Sequence, residues 1–236
     1  MFEELDYRVT PIGALSLRRR RLPSSPEDIY EIKLGDEFLM SSAFTASEIA
    51  LAKLGLESCN GEALDVVVGG LGLGYTAEAV LEDDRVSSLL VVDALEAVID
   101  WHQTGLLPLG EGLCADPRCQ FVLADFFAAA VSDEGFDATQ SDRTHDAIIV
   151  DIDHSPEFLL DLANAAFYQP EELKRFSRRL KPHGIFALWS NDKPDTAFCQ
   201  RLEQVFGKAW VEEVTFPNPL QGNQFTQSVY LARLVV

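Results

Sequence analysis

The chain has 236 residues, 47% of them apolar and 24% charged, which excludes a wholly disordered or collagen-like protein and leaves room for one large domain or a core with a small extension. A net charge of −19 argues against a surface that coats nucleic acid. No apolar run reaches the roughly 18 residues of a membrane span, so no membrane contact is expected.

The opening MFEELDYRVT has no basic stretch followed by an apolar one, so no signal peptide is expected. Four cysteines (Cys59, Cys114, Cys119, Cys199) stand at irregular spacings without a CxxC pair, as reduced thiols of a cytoplasmic protein would. Residues 14–22 (ALSLRRRRL) and 28–34 (DIYEIKL) read as strands, with Pro23 and Pro26 breaking the chain between them. Gly35-Asp36 sets a turn into a strand at 37–41, completing a small antiparallel unit. Arg18–Arg21 is conspicuous in so acidic a chain; a charged edge strand that resists aggregation explains it more simply than an anion site. A helix is predicted at 45–54, with Gly55 as its stop. The boundary between the N-terminal unit with its helix (1–55) and the remainder (56–236) is placed here.

From Glu62 onward strand and helix alternate. Short Val/Ile/Leu runs at 64–68, 89–92, 119–123, 147–150 and 185–189 read as strands buried on both faces. Helical stretches at 75–82, 95–104 and 170–180 lie between them, which implies a parallel sheet covered on both sides. The tail differs: 210–216 and 225–232, around Pro217, Pro219 and Gly222, form a hairpin that closes the sheet. The first ligand signal is Gly69-Gly70-Leu71-Gly72-Leu73-Gly74, which leaves a strand and opens a helix, where backbone N–H groups can approach a ligand. Asp93 ends the next strand, where a carboxylate accepts from ribose hydroxyls; the bland alternative is a solvated strand end. Asp125 ends the third strand and is suited either to an exocyclic amine or to capping the helix begun by Phe126. Asp151-Ile152-Asp153-His154-Ser155-Pro156 ends the fourth. In an extended stretch Asp151 and Asp153 face one side, and with His154 they give acid–base options; alternatively Asp153 or Ser155 caps the following helix. The four histidines show no i, i+4 partner, so no metal site is expected.

The loop 70–76, Asp93, Asp125, the strand 147–151 and Leu180-Lys181-Pro182-His183-Gly184-Ile185-Phe186 together resemble class I S-adenosylmethionine-dependent methyltransferases, and more narrowly their spermidine synthase branch. The resemblance covers 64 to about 189. It implies an α/β, Rossmann-like methyltransferase fold with a small N-terminal β extension. Gly70, Gly72 and Gly74 would wrap the methionine and ribose part of S-adenosylmethionine or its decarboxylated form. Asp93 would hold the ribose hydroxyls, and Asp125 would face the adenine amine. Three departures fall on the acceptor side. The acidic residue that spermidine synthases carry in the glycine loop is replaced by Leu73, and His154 stands where the family has its catalytic Asp, with Asp153 one place short. Segment 41–48 lacks the family's tyrosine and His-Glu pattern.

The expected activity is therefore transfer from an adenosyl sulfonium, ranked first as methyl transfer to an unknown small-molecule acceptor, with Asp153 or His154 as base and Asp151 orienting. Aminopropyl transfer to a polyamine from decarboxylated S-adenosylmethionine is the alternative. A non-catalytic relative and a nicotinamide enzyme (Gly72 to Ala77 fits GxGxxA) stay open. By resemblance the chain forms a homodimer.

Overall fold

The computed structural model describes residues 2–21, 27–218 and 223–235. Leu22, Pro23 and Pro26, which end and follow the first expected strand, and Pro219 and Gly222 of the tail turn lie outside the described residues. Two sheets build the molecule. The N-terminal sheet is antiparallel in the order β1 (Phe2–Thr10), β2 (Gly13–Arg21), β3 (Asp28–Leu34), β4 (Glu37–Ser41). The sequence reading lacks β1: apart from Leu5 its apolar residues are exposed, and a register shift between Glu4 and Asp6 breaks the period-2 pattern. Arg18, Arg19, Arg20 and Arg21 are neutralised by Glu4, Glu3, Glu31 and Asp28 on the neighbouring strands.

The second sheet has seven strands: β5 (Leu64–Gly69), β6 (Val86–Asp93), β7 (Cys119–Leu123), β8 (His145–Val150), β9 (Leu180–Ser190), β10 (Gly207–Asn218) and β11 (Asn223–Leu234). Their order is β10-β11-β9-β8-β5-β6-β7. The strands β5 to β9 are parallel, and β11 and β10 close the edge as the expected antiparallel hairpin. The continuous apolar runs are explained by burial on both faces. Val66, Val68, Ile149 and Ala187 look toward one core, and Val67, Ile148, Val150 and Phe186 toward the other.

The first core is shared with the N-terminal sheet, so the two sheets have one continuous hydrophobic contact. Arg8 also reaches Asp100 at 2.6 Å, and Asp6 accepts from the Trp101 indole at 2.6 Å, both on helix α3 (Glu96–Gln103). Helix α1 (Ala46–Glu57) runs past Gly55 instead of stopping there. A Cβ at Gly55 would lie 3.4 Å from both Ala187 and Ile149, so this glycine lets the helix press on the sheet. The second core is aromatic, with Phe126, Phe167, Phe176, Phe186 and Phe206 in successive ring contacts. It is covered by α5 (Phe126–Val131), α6 (Pro170–Phe176) and α7 (Thr196–Phe206), after α2 (Tyr75–Leu81) and α4 (Gly110–Ala115) on the other face. Helix α7 is absent from the sequence reading, although Asp195 caps it and Phe198, Leu202 and Phe206 form its buried stripe. The expected helix at 170–180 ends at Phe176, and its last residue, Leu180, already begins β9.

Candidate functional site

The carboxyl ends of β5, β6, β8 and β9 meet the N-terminal sheet at a cavity of ≈ 660 Å³. Open α/β sheets bind ligands at this edge. The glycine loop forms its floor. Gly70 has φ +93°, and a Cβ there would lie 2.2 Å from the Asp151 carbonyl oxygen, so only glycine lets β5 and β8 end side by side. Gly72 (φ +47°) lies under the Met40 sulfur of β4, and Gly74 (φ +95°) begins α2 against Leu113 and His102. Gly70 and Gly72 line the cavity; Gly74 lies behind them.

Asp93 sits at the end of β6 on the cavity wall. One carboxylate oxygen accepts from Leu71 N and the other from Leu95 N, each at 2.8 Å. Burial raises its pKa despite these bonds. The loop thus holds Asp93 in place while lone pairs remain for a ligand's hydroxyls. Asp125 also lines the cavity, and it caps α5 by accepting from Ala128 N at 3.1 Å. Phe126 and Phe127 continue that wall.

The stretch after β8 departs from expectation. Asp151 lines the cavity, but the chain bends at 153–154 instead of staying extended, so Asp153 is not on the cavity wall. Asp153 is 1% exposed and accepts from Leu160 N (2.8 Å), Asn164 Nδ2 (3.0 Å) and the Tyr168 hydroxyl (2.8 Å). It pins the segment between β8 and α6. His154 reaches the cavity, stacks on Phe158 with ring centroids 5.1 Å apart, and faces Glu37 Oε1 across 3.1 Å. Asp153→Ala leaves three donors without an acceptor, one of them the buried Tyr168 hydroxyl. We expect it to cost about 2–4 kcal/mol in a urea titration, whereas His154→Ala costs about 1 kcal/mol or less. Equal losses would show that Asp153 is not the pin.

Glu48, on α1, was missed by the sequence reading. It is buried on the same helical stripe as Leu51, Ala52, Gly55 and Leu56, yet it lines the cavity. A carboxylate on the apolar face of a helix was the signal that could have found it. Burial, with the Asp151 charge adding to it, pushes the Glu48 carboxyl up to about 7. Burial pushes Asp151 to about 6, against the pull of the Thr76 hydroxyl donating at 2.7 Å. Ser47 Oγ donates to Glu48 at 2.7 Å. The buried Glu48 and the half-buried Asp151, both with raised pKa values, form a proton-accepting pair on the cavity wall.

The cavity is acidic as a whole. Glu31, Glu48, Asp93, Asp125, Asp151 and Asp161 line it, and the arginine on its wall, Arg20, is held by Glu31 at 2.7 Å. Phe38, Phe44, Trp189, Phe216 and Phe225 supply apolar surface, with the last two contributed by the tail hairpin.

A scan against protein-family models finds no match, and a search of curated proteins finds none either. Solved structures do match. A spermidine synthase from Thermotoga maritima superposes with a TM-score of 0.74 at 18% identity, covering 98% of this chain and 72% of that one. A spermidine synthase in complex with the transition-state analogue AdoDATO superposes with a TM-score of 0.75 at 17% identity, covering 98% and 73%. The chain therefore has the spermidine synthase-like form of the Rossmann-like methyltransferase fold, including the N-terminal β extension.

Proposed function

We propose that this chain is an aminopropyltransferase-type enzyme that takes decarboxylated S-adenosylmethionine as donor and an amine as acceptor. The acidity of the cavity is the observation that favours this over methyl transfer, the first-ranked expectation from sequence. A carboxylated donor brings its own negative charge to a wall where Glu31 and Arg20 pair with each other and five further acidic residues remain. A decarboxylated donor and an amine bring positive charge only. The analogue bound by the structural neighbour, and the neighbours' own names, agree with that choice.

In this reading Asp93 takes the ribose hydroxyls, Asp125 faces the adenine amine, and Gly70 and Gly72 let the loop approach the ligand. Phe126 and Phe127 border the base. The acceptor amine is protonated at neutral pH, as lysine is, and must lose a proton before its lone pair can attack. The pair Glu48 and Asp151 takes that proton. The nitrogen then attacks the aminopropyl carbon bonded to sulfur, the carbon–sulfur bond breaks, and its electrons stay on sulfur as methylthioadenosine leaves. Holding nucleophile, carbon and sulfur in line is the protein's main contribution. Asp153 plays no direct part and positions the segment that carries His154 and Asn164.

The test is a thermal-shift and turnover panel. Decarboxylated S-adenosylmethionine and methylthioadenosine at 100 times their Kd should add about 2.7 kcal/mol, roughly 5–10 °C for a chain of this size. Product formation should follow when diamines are supplied. A shift confined to S-adenosylmethionine and S-adenosylhomocysteine would select methyl transfer instead. A shift with NAD alone would remove both readings.

A further inference from the structure

Most backbone N–H groups from Gly70 to Gly74 are already engaged. Gly70 N donates to Val92 O, Leu71 N to Asp93, and Gly74 N to Leu71 O. A fourth, Leu73 N, donates to the sulfur of Met40, 3.1 Å away. Met40 lies on β4 and belongs to the N-terminal sheet, yet its thioether fills the hollow above Gly72, where a Cβ would come within 2.8 Å of it. Met40 also lines the cavity. A neutral sulfur therefore occupies the place where the loop would otherwise present a free donor to an anion.

We propose that Met40 is a specificity-determining residue that rejects the α-carboxylate of the donor. A carboxylate brought to this loop needs N–H partners or a cation to replace its water. Met40 takes the Leu73 N–H, Asp93 takes that of Leu71, and Glu48 and Asp151 add like charge on the same wall. A donor that lacks the carboxylate leaves nothing unpaired. The glycine loop carries no acidic side chain of its own, since Leu73 is buried and apolar, so the discrimination falls to a residue delivered from the other sheet. This inference rests on the adenosyl-sulfonium reading above and names the part of the site that chooses between the two donors.

Calorimetry with three ligands separates the two claims. Methylthioadenosine has no amino-acid end, decarboxylated S-adenosylmethionine has the amine alone, and S-adenosylmethionine has amine and carboxylate. In the wild-type chain the decarboxylated donor should bind at least tenfold tighter than S-adenosylmethionine. Met40→Ala frees the Leu73 N–H and opens the hollow, and should narrow that ratio tenfold or more while leaving methylthioadenosine affinity within twofold. Met40→Leu keeps the hollow filled without a sulfur acceptor and should narrow the ratio less; it also serves if the alanine variant does not fold. An unchanged ratio in both variants overturns the proposal. So does an equal gain for all three ligands, which is the behaviour of a simple steric plug. If none of the three binds the wild-type chain, the adenosyl-sulfonium reading fails and the role of Met40 fails with it.

Discussion

Gly70→Ala is expected to abolish donor binding and to lower stability by about 3 kcal/mol or more. Two effects add. The backbone at φ +93° is one that an L side chain rarely adopts, and the new methyl would stand 2.2 Å from the Asp151 carbonyl oxygen. Neither partner can yield cheaply, because Gly70 N is tied to Val92 O at 2.8 Å and Asp151 N to Gly69 O at 2.8 Å. Relief requires the ends of β5 and β8 to part. That displaces the Leu71 N–H that holds Asp93 and shifts Asp151 on the opposite wall. Gly105→Ala is the internal control. Gly105 also has a positive φ, +74°, but a Cβ there meets nothing within 4 Å, so its cost should be about 1 kcal/mol with no effect on binding. Urea midpoints for both variants, with methylthioadenosine calorimetry, decide the matter. Wild-type affinity in Gly70→Ala would mean that the loop is not the donor floor.

The parallel core was legible because buried strands announce themselves: residues 66–68, 147–150 and the middle of β9 are apolar on both faces and sit between helical stretches. The glycine loop and Asp93 were legible for the same reason, since a strand end fixes where the next residues lie. What failed was reading that depends on long-range packing. The strand β1 is paired but exposed, with Phe2, Tyr7 and Val9 at the surface, so no burial pattern marks it. Gly55 reads as a helix stop until Ile149 and Ala187 are seen pressing against it. Asp151 and Asp153 look equivalent in sequence. Only the bend at 153–154 sends one to the cavity and the other to Tyr168. Glu48 was visible in principle, because a carboxylate three residues before Leu51 and seven before Gly55 shares their buried face.

That carboxylate carries the second large effect: Glu48→Gln should cut kcat/KM for an amine acceptor about 100-fold or more and flatten the pH dependence of stability. The sign follows from the raised pKa values. Glu48 titrates near 7 in the folded chain against an ordinary 4.5, and Asp151 near 6 against 3.8. Between those values the folded state holds protons that the unfolded chain has released. The protonated pair is thus compatible with folding at low pH, and stability is lost as pH rises through about 4.5 to 7. For Glu48 alone the loss is of the order of 3 kcal/mol. Glutamine keeps the shape and the Ser47 hydrogen bond but cannot ionise, so the variant should lose less stability than wild type between pH 5 and pH 8. Catalysis runs the other way. The pair accepts a proton from the amine only after ionising, so the wild-type rate should climb across about pH 6–7. Without the Glu48 step near 7 the remaining ionisation is that of Asp151, near 6, so the rise should move to lower pH with reduced height. Urea titrations at pH 5 and pH 8 and a kcat/KM profile read the two effects separately. If Glu48→Gln keeps the wild-type stability slope, the titrating group lies elsewhere. If it keeps the wild-type rate, Asp151 acts as base without its partner.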